Sequence, residues 1–337
     1  MKVAVLILTW NAADAALQCL QSLAQQTRPP DKILVVDNAS HDGTVEGIRR
    51  QFPEITLIRN SRNLGFAVGM NTGIRALQQL SDPPDIVALL NQDTILDPHW
   101  LGELVAPFEQ GADIGAVGCK LRYPDGTIQH AGARLDWPRA IAHHIGAGEP
   151  DSGQYDEAQP YDIVTGAAIA LRLAALDTVG LFDPGYTPAY YEDTDLCWRL
   201  RHHNYRILYA PKATLTHQES LSLRDETRRS SYYNRGRLRF ILKSYAIADI
   251  LGEFAHSERA FIAQHGHRRE ERALRWAYVE TLLRLPDILH ARNAFYPPTT
   301  AQETEELTRL LLDLKQAVTM SMYHRAQSTL DAFYTYE

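Results

Sequence analysis

Cysteine is scarce in this sequence: three residues, Cys19, Cys119 and Cys197, with no C-x-x-C pair among them. An odd number without paired spacing offers no disulfide framework and fits a reducing cytoplasm, with all three expected as small buried hydrophobes. Long apolar runs are lacking as well. The longest nearly apolar stretch, residues 163–182, is broken by Arg172 and Asp177, so no bilayer-spanning segment is expected. The apolar start MKVAVLILTWN is short and no small-residue cleavage site follows it, which favours a buried first strand over a signal peptide. There is no excess of positive charge. With 34 Lys and Arg against 41 Asp and Glu the formal net charge is -7, which argues against broad nucleic-acid binding, because that needs a positive field to displace counterions. Glycine is missing where a dinucleotide fold wants it. The turn after the first apolar run reads Thr9-Trp10-Asn11-Ala12-Ala13 instead of G-x-G-x-x-G. That argues against hydride transfer. The absence of a glycine-rich, basic loop at the same place argues against a sugar-1-phosphate nucleotidyltransferase.

What is present reads as an α/β protein. A chain of 337 residues can bury one large core or two smaller ones. Short β-branched runs at 3–9, 32–37, 55–59 and 86–91 alternate with helical spacing at 15–25, 44–51 and 67–80, and Gly43 and Gly65 mark turns near the helix starts. This alternation implies right-handed crossovers and a mostly parallel sheet flanked by helices on both faces. Further on, 115–121 reads as a strand, 123–126 as a turn, 146–159 as a mobile loop and 165–171 as a buried strand. A helix is expected at 192–203 and a short strand at 206–209, closed by Pro211. Beyond about Leu223 apolar residues recur at three and four, as in Leu274, Ala277, Tyr278 and Leu282, with Pro286 and Pro297-Pro298 as breaks. The expected organisation is a catalytic domain over 1–222 and a helical region over 223–337.

Ligands of an open parallel sheet bind beyond the carboxyl ends of its strands. Those ends are polar here: Thr9-Trp10-Asn11, Asp37-Asn38 and Asn91-Gln92-Asp93. One polar strand end is only a place where the chain turns; the set together suggests a site. Carboxylate and amide oxygens at Asn91 and Asp93 suit a hard divalent ion that also holds phosphate oxygens. Glu192-Asp193-Thr194-Asp195 opens a predicted helix behind the aromatic segment 186–191. These carboxylates serve equally well as caps for a helix start or as a general base toward a hydroxyl, and periodicity does not separate the two. His217 is a lone histidine that spacing does not select. His143-His144, His202-His203 and His265-Gly266-His267 read as solvated pairs.

Several motifs in order resemble the family 2 glycosyltransferases of GT-A fold, close to the bacterial rhamnosyltransferase branch. They are Thr9-Trp10-Asn11, Val36-Asp37-Asn38-Ala39-Ser40, Asn63-Leu64-Gly65-Phe66, Gly69-x-Asn71-x-Gly73, Asn91-Gln92-Asp93, Thr165-Gly166-Ala167, Gly180-x-Phe182-Asp183, Glu192-Asp193-x-Asp195 and His217. They span roughly residues 1–220. The resemblance implies a nucleotide-diphosphate-sugar donor and a single inverting displacement onto an acceptor hydroxyl. It implies that Asp37 bonds a pyrimidine base and that Asn63 and Gly65 join Thr9, Asn11, Asn38, Asn91 and Gln92 around the donor. It assigns Asp93 and His217 to a divalent metal, Mg or Mn, and Asp193 to the catalytic base with Glu192 beside it. Asn91 stands where the family's metal motif has its first aspartate; one charge fewer implies weaker metal binding. The branch suggests rhamnose as the sugar and cell-surface polysaccharide as the product, built on a glycan or polyprenyl-linked acceptor. The alternative is a GT-A module that holds a nucleotide sugar without transferring it.

The segment from Arg224 to Lys243 gathers arginines around Tyr232-Tyr233 in an otherwise acidic chain. It reads either as a solvated helix face or as a contact for anionic lipid head groups or a polyprenyl diphosphate. The expected location is accordingly the cytoplasm, including peripheral contact at the inner face of the membrane. The helices beyond are expected to pack on the catalytic domain or to form a homodimer interface.

Overall fold

The computed structural model describes residues 1–218, 225–264 and 268–334. The strands are β1 (Val3–Thr9), β2 (Lys32–Asp37), β3 (Thr56–Arg59), β4 (Ile86–Asn91), β5 (Thr94–Leu96), β6 (Ile114–Arg122), β7 (Ile128–His130), β8 (Ala133–Leu135), β9 (Ala142–His144), β10 (Ala168–Arg172) and β11 (Arg206–His217). The main sheet runs β3-β2-β1-β4-β10-β6-β11-β5, with β7 on β6, while β8 and β9 pair separately. β1 to β4 are mutually parallel, β6 and β11 are parallel, and β10 is antiparallel to both β4 and β6. β1 is apolar up to its final threonine because it lies between two parallel neighbours with helices on each face.

The side-chain period of two divides β1 between two cores. Val3, Val5 and Ile7 pack with Ala16, Cys19 and Leu20 of α1 (Ala13–Ala24), Ile48 of α2 (Thr44–Gln51) and Trp100 of α4 (Trp100–Val105). Ala4 and Leu6 face the opposite core, with Ala67, Met70 and Ile74 of α3 (Gly65–Gln78), Leu176 of α5 (Leu173–Val179) and Leu196 of α6 (Glu192–His202). α3 lies unusually close to β1. A Cβ on Gly73 would stand 2.3 Å from Leu6 Cδ1. Between the two motif glycines, the Asn71 amide accepts from the Phe182 N–H at 3.0 Å and donates to its carbonyl at 2.7 Å. The G-x-N-x-G and G-x-F-D motifs thus fasten each other. Burial keeps the three cysteines as thiols, pushing each up to about 12.

Two strands differ from expectation. Residues 165–167 form a turn, and β10 starts at Ala168. β11 does not stop at Pro211. A register shift between Ala210 and Thr214 takes the imino residue out of the ladder, and pairing with β6 resumes at Thr214. That continuation carries the chain to His217.

The chain divides into two compact units, Met1–Leu135 with Ala142–Ser222, and Asp136–Ile141 with Leu223–Glu337. The second is helical: α7 (Glu226–Ser244), α8 (Ile247–Asp249), α9 (Ala255–Gln264), α10 (Arg268–Leu283), α11 (Leu285–Arg292) and α12 (Ala301–Tyr334). The basic segment is not a solvated face. Arg235, Arg237, Arg239 and Lys243 are buried, and the guanidiniums pair with Glu280, Glu258 and Asp287 respectively. Arg228 stays at the surface, and Arg224 and the histidines 265 and 267 lie outside the described residues. His144 is not simply solvated either: its Nδ1 lies 2.9 Å from that of the buried His130. No helix of the described residues is long and apolar enough to cross a membrane.

Candidate active site

The polar ends of β1, β2 and β4 meet through their loops. Asp37 closes β2 with its carboxylate fully enclosed, accepting from Ser40 N–H at 3.0 Å and the Thr9 hydroxyl at 3.3 Å, with Arg59 Nε at 3.5 Å. Asn11, in the left-handed region at φ 46°, accepts from His41 N–H and donates its own N–H to Ser40 Oγ. The Asn38 amide donates to Gly65 O and accepts from Asn60, and Asn63 Oδ1 caps Gly65 N–H. Gly65 has φ +77°, and a Cβ there would stand 2.9 Å from Pro188 O. Gln92 clamps both backbone atoms of Trp10, at 2.8 and 3.0 Å, and so shapes the turn after β1. Within this set, Asn38 and Gln92 spend their side chains on joining loops.

The turn after β4 meets the end of β11, because β5 pairs with β11 and sets Thr94 opposite His217. His217 Nε2 lies 3.2 Å from Asp93 Oδ1 and 3.4 Å from Asn91 Nδ2, while His217 Nδ1 lies 2.7 Å from Gln129 Oε1. All but Asn91 are buried, with Asn91 partly so. Among the described residues no three His, Cys, Asp or Glu side chains cluster as a metal cage. The local donors are one carboxylate, one imidazole and one amide. Such a set fits a hard divalent ion that keeps positions open for phosphate oxygens and water.

Asp193 is held from the other side. Its Oδ2 accepts from Gly166 N–H at 2.8 Å, and its Oδ1 accepts from Thr194 N–H at 2.7 Å. It sits in the first turn of α6. The residue stays partly exposed; Oδ1 also accepts from the Thr194 hydroxyl at 3.3 Å, which leaves Oδ2 with a lone pair for another donor. The turn that carries Gly166 also reaches the Asp93–His217 pair, because Asn91 N–H donates to Ala167 O at 2.9 Å. Asp195, two residues on, is fully buried and committed to structure. It takes Tyr186 Oη at 3.1 Å and Arg199 Nε at 2.8 Å, while the Arg199 guanidinium holds the carbonyls of Val179, Gly180 and Leu181. Glu192 is buried beside Asp193. Sequence reasoning missed Gln129 and His130; β7 has only three residues, too few for a period to register.

Residues 1–239 match the family model described as "Glycosyltransferase like family 2". The chain belongs to family 2 of the glycosyltransferases. It is 27% identical over 241 residues to the N-acetylglucosaminyl-diphospho-decaprenol L-rhamnosyltransferase of Mycobacterium tuberculosis, covering 65% of this chain and 76% of that one. It is 28% identical over 230 residues to the O-antigen biosynthesis protein RfbC of Myxococcus xanthus, covering 66% of this chain and 18% of the other. An uncharacterized protein of Sinorhizobium fredii, y4gI, is 31% identical over 57% of this chain and 21% of its own. The chain therefore spans about a fifth of these last two relatives. Among solved structures it resembles GalNAc-T7 with UDP, GalNAc and Mn2+, at TM-score 0.60 and 15% identity, over 89% of this chain and 58% of that one. It also resembles the mannosyltransferase PcManGT of Pyrobaculum calidifontis with GDP-Man and Mn2+, at TM-score 0.52 and 17% identity, over 96% and 87%. The expected GT-A fold is the observed one: a mostly parallel sheet flanked by helices, with helices C-terminal to it.

Proposed function

We propose that this glycosyltransferase is an inverting, metal-dependent enzyme that moves a sugar from a nucleotide-diphosphate donor to a hydroxyl of a glycan or polyprenyl-linked acceptor. The observation that carries the reading is the 3.2 Å approach of His217 Nε2 to Asp93 Oδ1, beside the turn that holds Asp193. Asp193 takes the proton of the acceptor hydroxyl as that oxygen attacks the anomeric carbon, with Glu192 orienting the acceptor. Asp93 and His217 would hold a Mg or Mn ion, which would offset the charge growing on the departing diphosphate. Thr9, Asn11, Asn63 and the Asn91 amide line the donor side. Asp37 supports the pyrimidine pocket by bracing the Thr9 and Ser40 loops, since its own carboxylate is enclosed. The Mycobacterium relative's name supports rhamnose as the sugar and a polyprenyl diphosphate as the carrier, and RfbC supports a cell-surface polysaccharide product.

The proposed location is the cytoplasm, at the inner face of the membrane where such an acceptor is presented. For lipid contact, burial of Arg235, Arg237 and Arg239 leaves Arg228 exposed and Arg229 partly so among the described residues of that group, and a homodimer through the tail helices stays a proposal beside it. The catalytic domain is proposed to end near residue 222, with the helical region after it.

Asp93→Ala and His217→Ala are each expected to weaken Mn-dependent binding of a pyrimidine nucleoside diphosphate, read by titration calorimetry. Metal dependence unchanged in both variants would contradict the assignment. A module that binds without transferring would show no slow hydrolysis of the donor sugar with metal present; an enzyme shows it.

A further inference from the structure

Gln129 occupies an irregular position. Along β6 and β7, Leu121 pairs with His130 and Arg122 with Ile128, so Gln129 is the extra residue of a bulge. A bulge turns one side chain away from the direction the pleat would give it. β6 is also the strand that β11 rejoins after its own irregularity, and there Arg122 pairs with Thr216, the residue before His217. Two departures from regular pairing therefore converge on the end of β6. Through them Gln129 Oε1 comes to lie 2.7 Å from His217 Nδ1, both side chains being buried.

Gln129 Oε1 and Asp93 Oδ1 are both acceptors with no proton to give, and the shorter contact, 2.7 Å against 3.2 Å, places the hydrogen of the ring on Nδ1. Neutral imidazole has one N–H, and Nε2 is left with its lone pair. That lone pair faces the Asp93 carboxylate and the Asn91 amide, whose Nδ2 at 3.4 Å is placed to donate to it. The opposite tautomer reverses both ends. Nε2–H would bond to Asp93 and occupy two prospective ligands at once, and Gln129 Oε1 would face a lone pair. Gln129 thus selects between a His217 that ligates and one that ties up Asp93.

We propose that Gln129 is a positioning residue: it holds His217 in the Nδ1–H tautomer and keeps Nε2 and Asp93 available together for a divalent cation. The proposal rests on the metal reading above. Being neutral, Gln129 fixes the ring without the added negative charge of a carboxylate at that position.

The test has a readout that needs no metal. The 15N-labelled full chain is taken at about pH 8, where an ordinary histidine is neutral, and His217 is assigned by the signal lost in His217→Ala. Long-range 1H–15N correlation then reports its tautomer. Wild type is expected to show the Nδ1–H form. Gln129→Leu, which keeps bulk but removes the acceptor, is expected to move His217 to the Nε2–H form or a mixture. Gln129→Glu restores the acceptor and is expected to restore the Nδ1–H form. With Mn2+ and uridine diphosphate in the calorimeter, Gln129→Leu is expected to bind roughly ten to a hundred times more weakly, as loss of a ligand's orienting partner does elsewhere. An unchanged tautomer in Gln129→Leu overturns the proposal. A changed tautomer with unchanged Mn2+ affinity overturns its metal half, and if His217→Ala also binds Mn2+ normally, the fault lies with the metal reading itself.

Discussion

At the scale of single residues, three acidic side chains at the start of α6 look alike in sequence and differ in structure. Helix position alone makes each a good cap, so spacing left the general base open. The partners decide. Asp195 is enclosed by Tyr186 and Arg199, whereas Asp193 takes two backbone N–H groups and keeps a face toward solvent. Asp193→Asn preserves shape but keeps only one of the two oxygens that accept backbone N–H groups, so the melting temperature should fall modestly, by the loss of about one hydrogen bond. If Asp193 receives the acceptor's proton, turnover should fall roughly a hundredfold to ten-thousandfold. Donor affinity should stay near wild type, because the carboxylate serves the acceptor and not the diphosphate. Asp195→Asn is the control. It strips the charge from a buried pair and should lower stability without a specific loss of rate per folded molecule. A transfer rate for Asp193→Asn within a few-fold of wild type would move the base to Glu192.

At the scale of elements, strand legibility followed from what covers each strand. β1, β2 and β4 lie within the parallel part of the sheet, so their burial appears in sequence as continuous apolar runs, and their limits were readable to the residue. β7 and the far half of β11 were not readable, because one has three residues and the other crosses a proline through a bulge. Those are the elements that bring Gln129 and His217 together. The α3 glycines were legible as a motif, and their reason is close packing. Gly73→Ala should cost about 1–3 kcal/mol, because Leu6 on the central strand must shift to admit a methyl group; urea unfolding would measure it. β7 also carries His130, whose Nε2 accepts the Thr165 N–H beside the turn that holds Asp193. Burial, and then repulsion from His144, hold its pKa well below 6.5. The folded state therefore keeps His130 neutral while the unfolded chain takes up a proton below about pH 6.5. Its contribution is intact above that pH and is lost as the pH falls toward the depressed folded value. Unfolding free energy should drop more steeply between about pH 7 and 5.5 in wild type than in His130→Gln. Parallel curves for the two proteins would refute this.

At the scale of the whole molecule, the two units were read from the sequence with unequal success. In the first, local runs reported their own burial. In the second, the arginines of α7 pointed to a charged surface, because the anions that neutralise them are remote: Glu258 lies 21 residues from Arg237, and Asp287 lies 48 from Arg239. Periodicity of apolar residues says nothing about such pairs. Glu258 is the centre of this core. Arg237 reaches both its oxygens, Arg139 reaches one at 2.8 Å, and Tyr278 Oη donates to Oε1 at 2.9 Å. Burial alone would push the carboxyl up, but the two guanidiniums outweigh it and hold it at about 2. A carboxyl with a depressed folded pKa contributes stability that is complete above its unfolded value near 4.5 and is lost as the pH falls toward 2. Glu258→Gln keeps the shape and the acceptor for Tyr278 but strands the buried Arg237 and the partly buried Arg139. It should destabilise the helical unit by about 3–5 kcal/mol at neutral pH. The gap between variant and wild type should then close on acidification by up to about 1.4 kcal/mol per pH unit, beginning below about pH 4.5, as wild type takes up the proton that the variant cannot. Trp137 and Trp276 belong to this unit and Trp10, Trp100 and Trp198 to the other, so the loss is read as the shift between variant and wild type in the tryptophan-fluorescence transition in denaturant. A gap that stays constant from about pH 7 to 3.5 would mean that the arginines do not depend on the Glu258 charge.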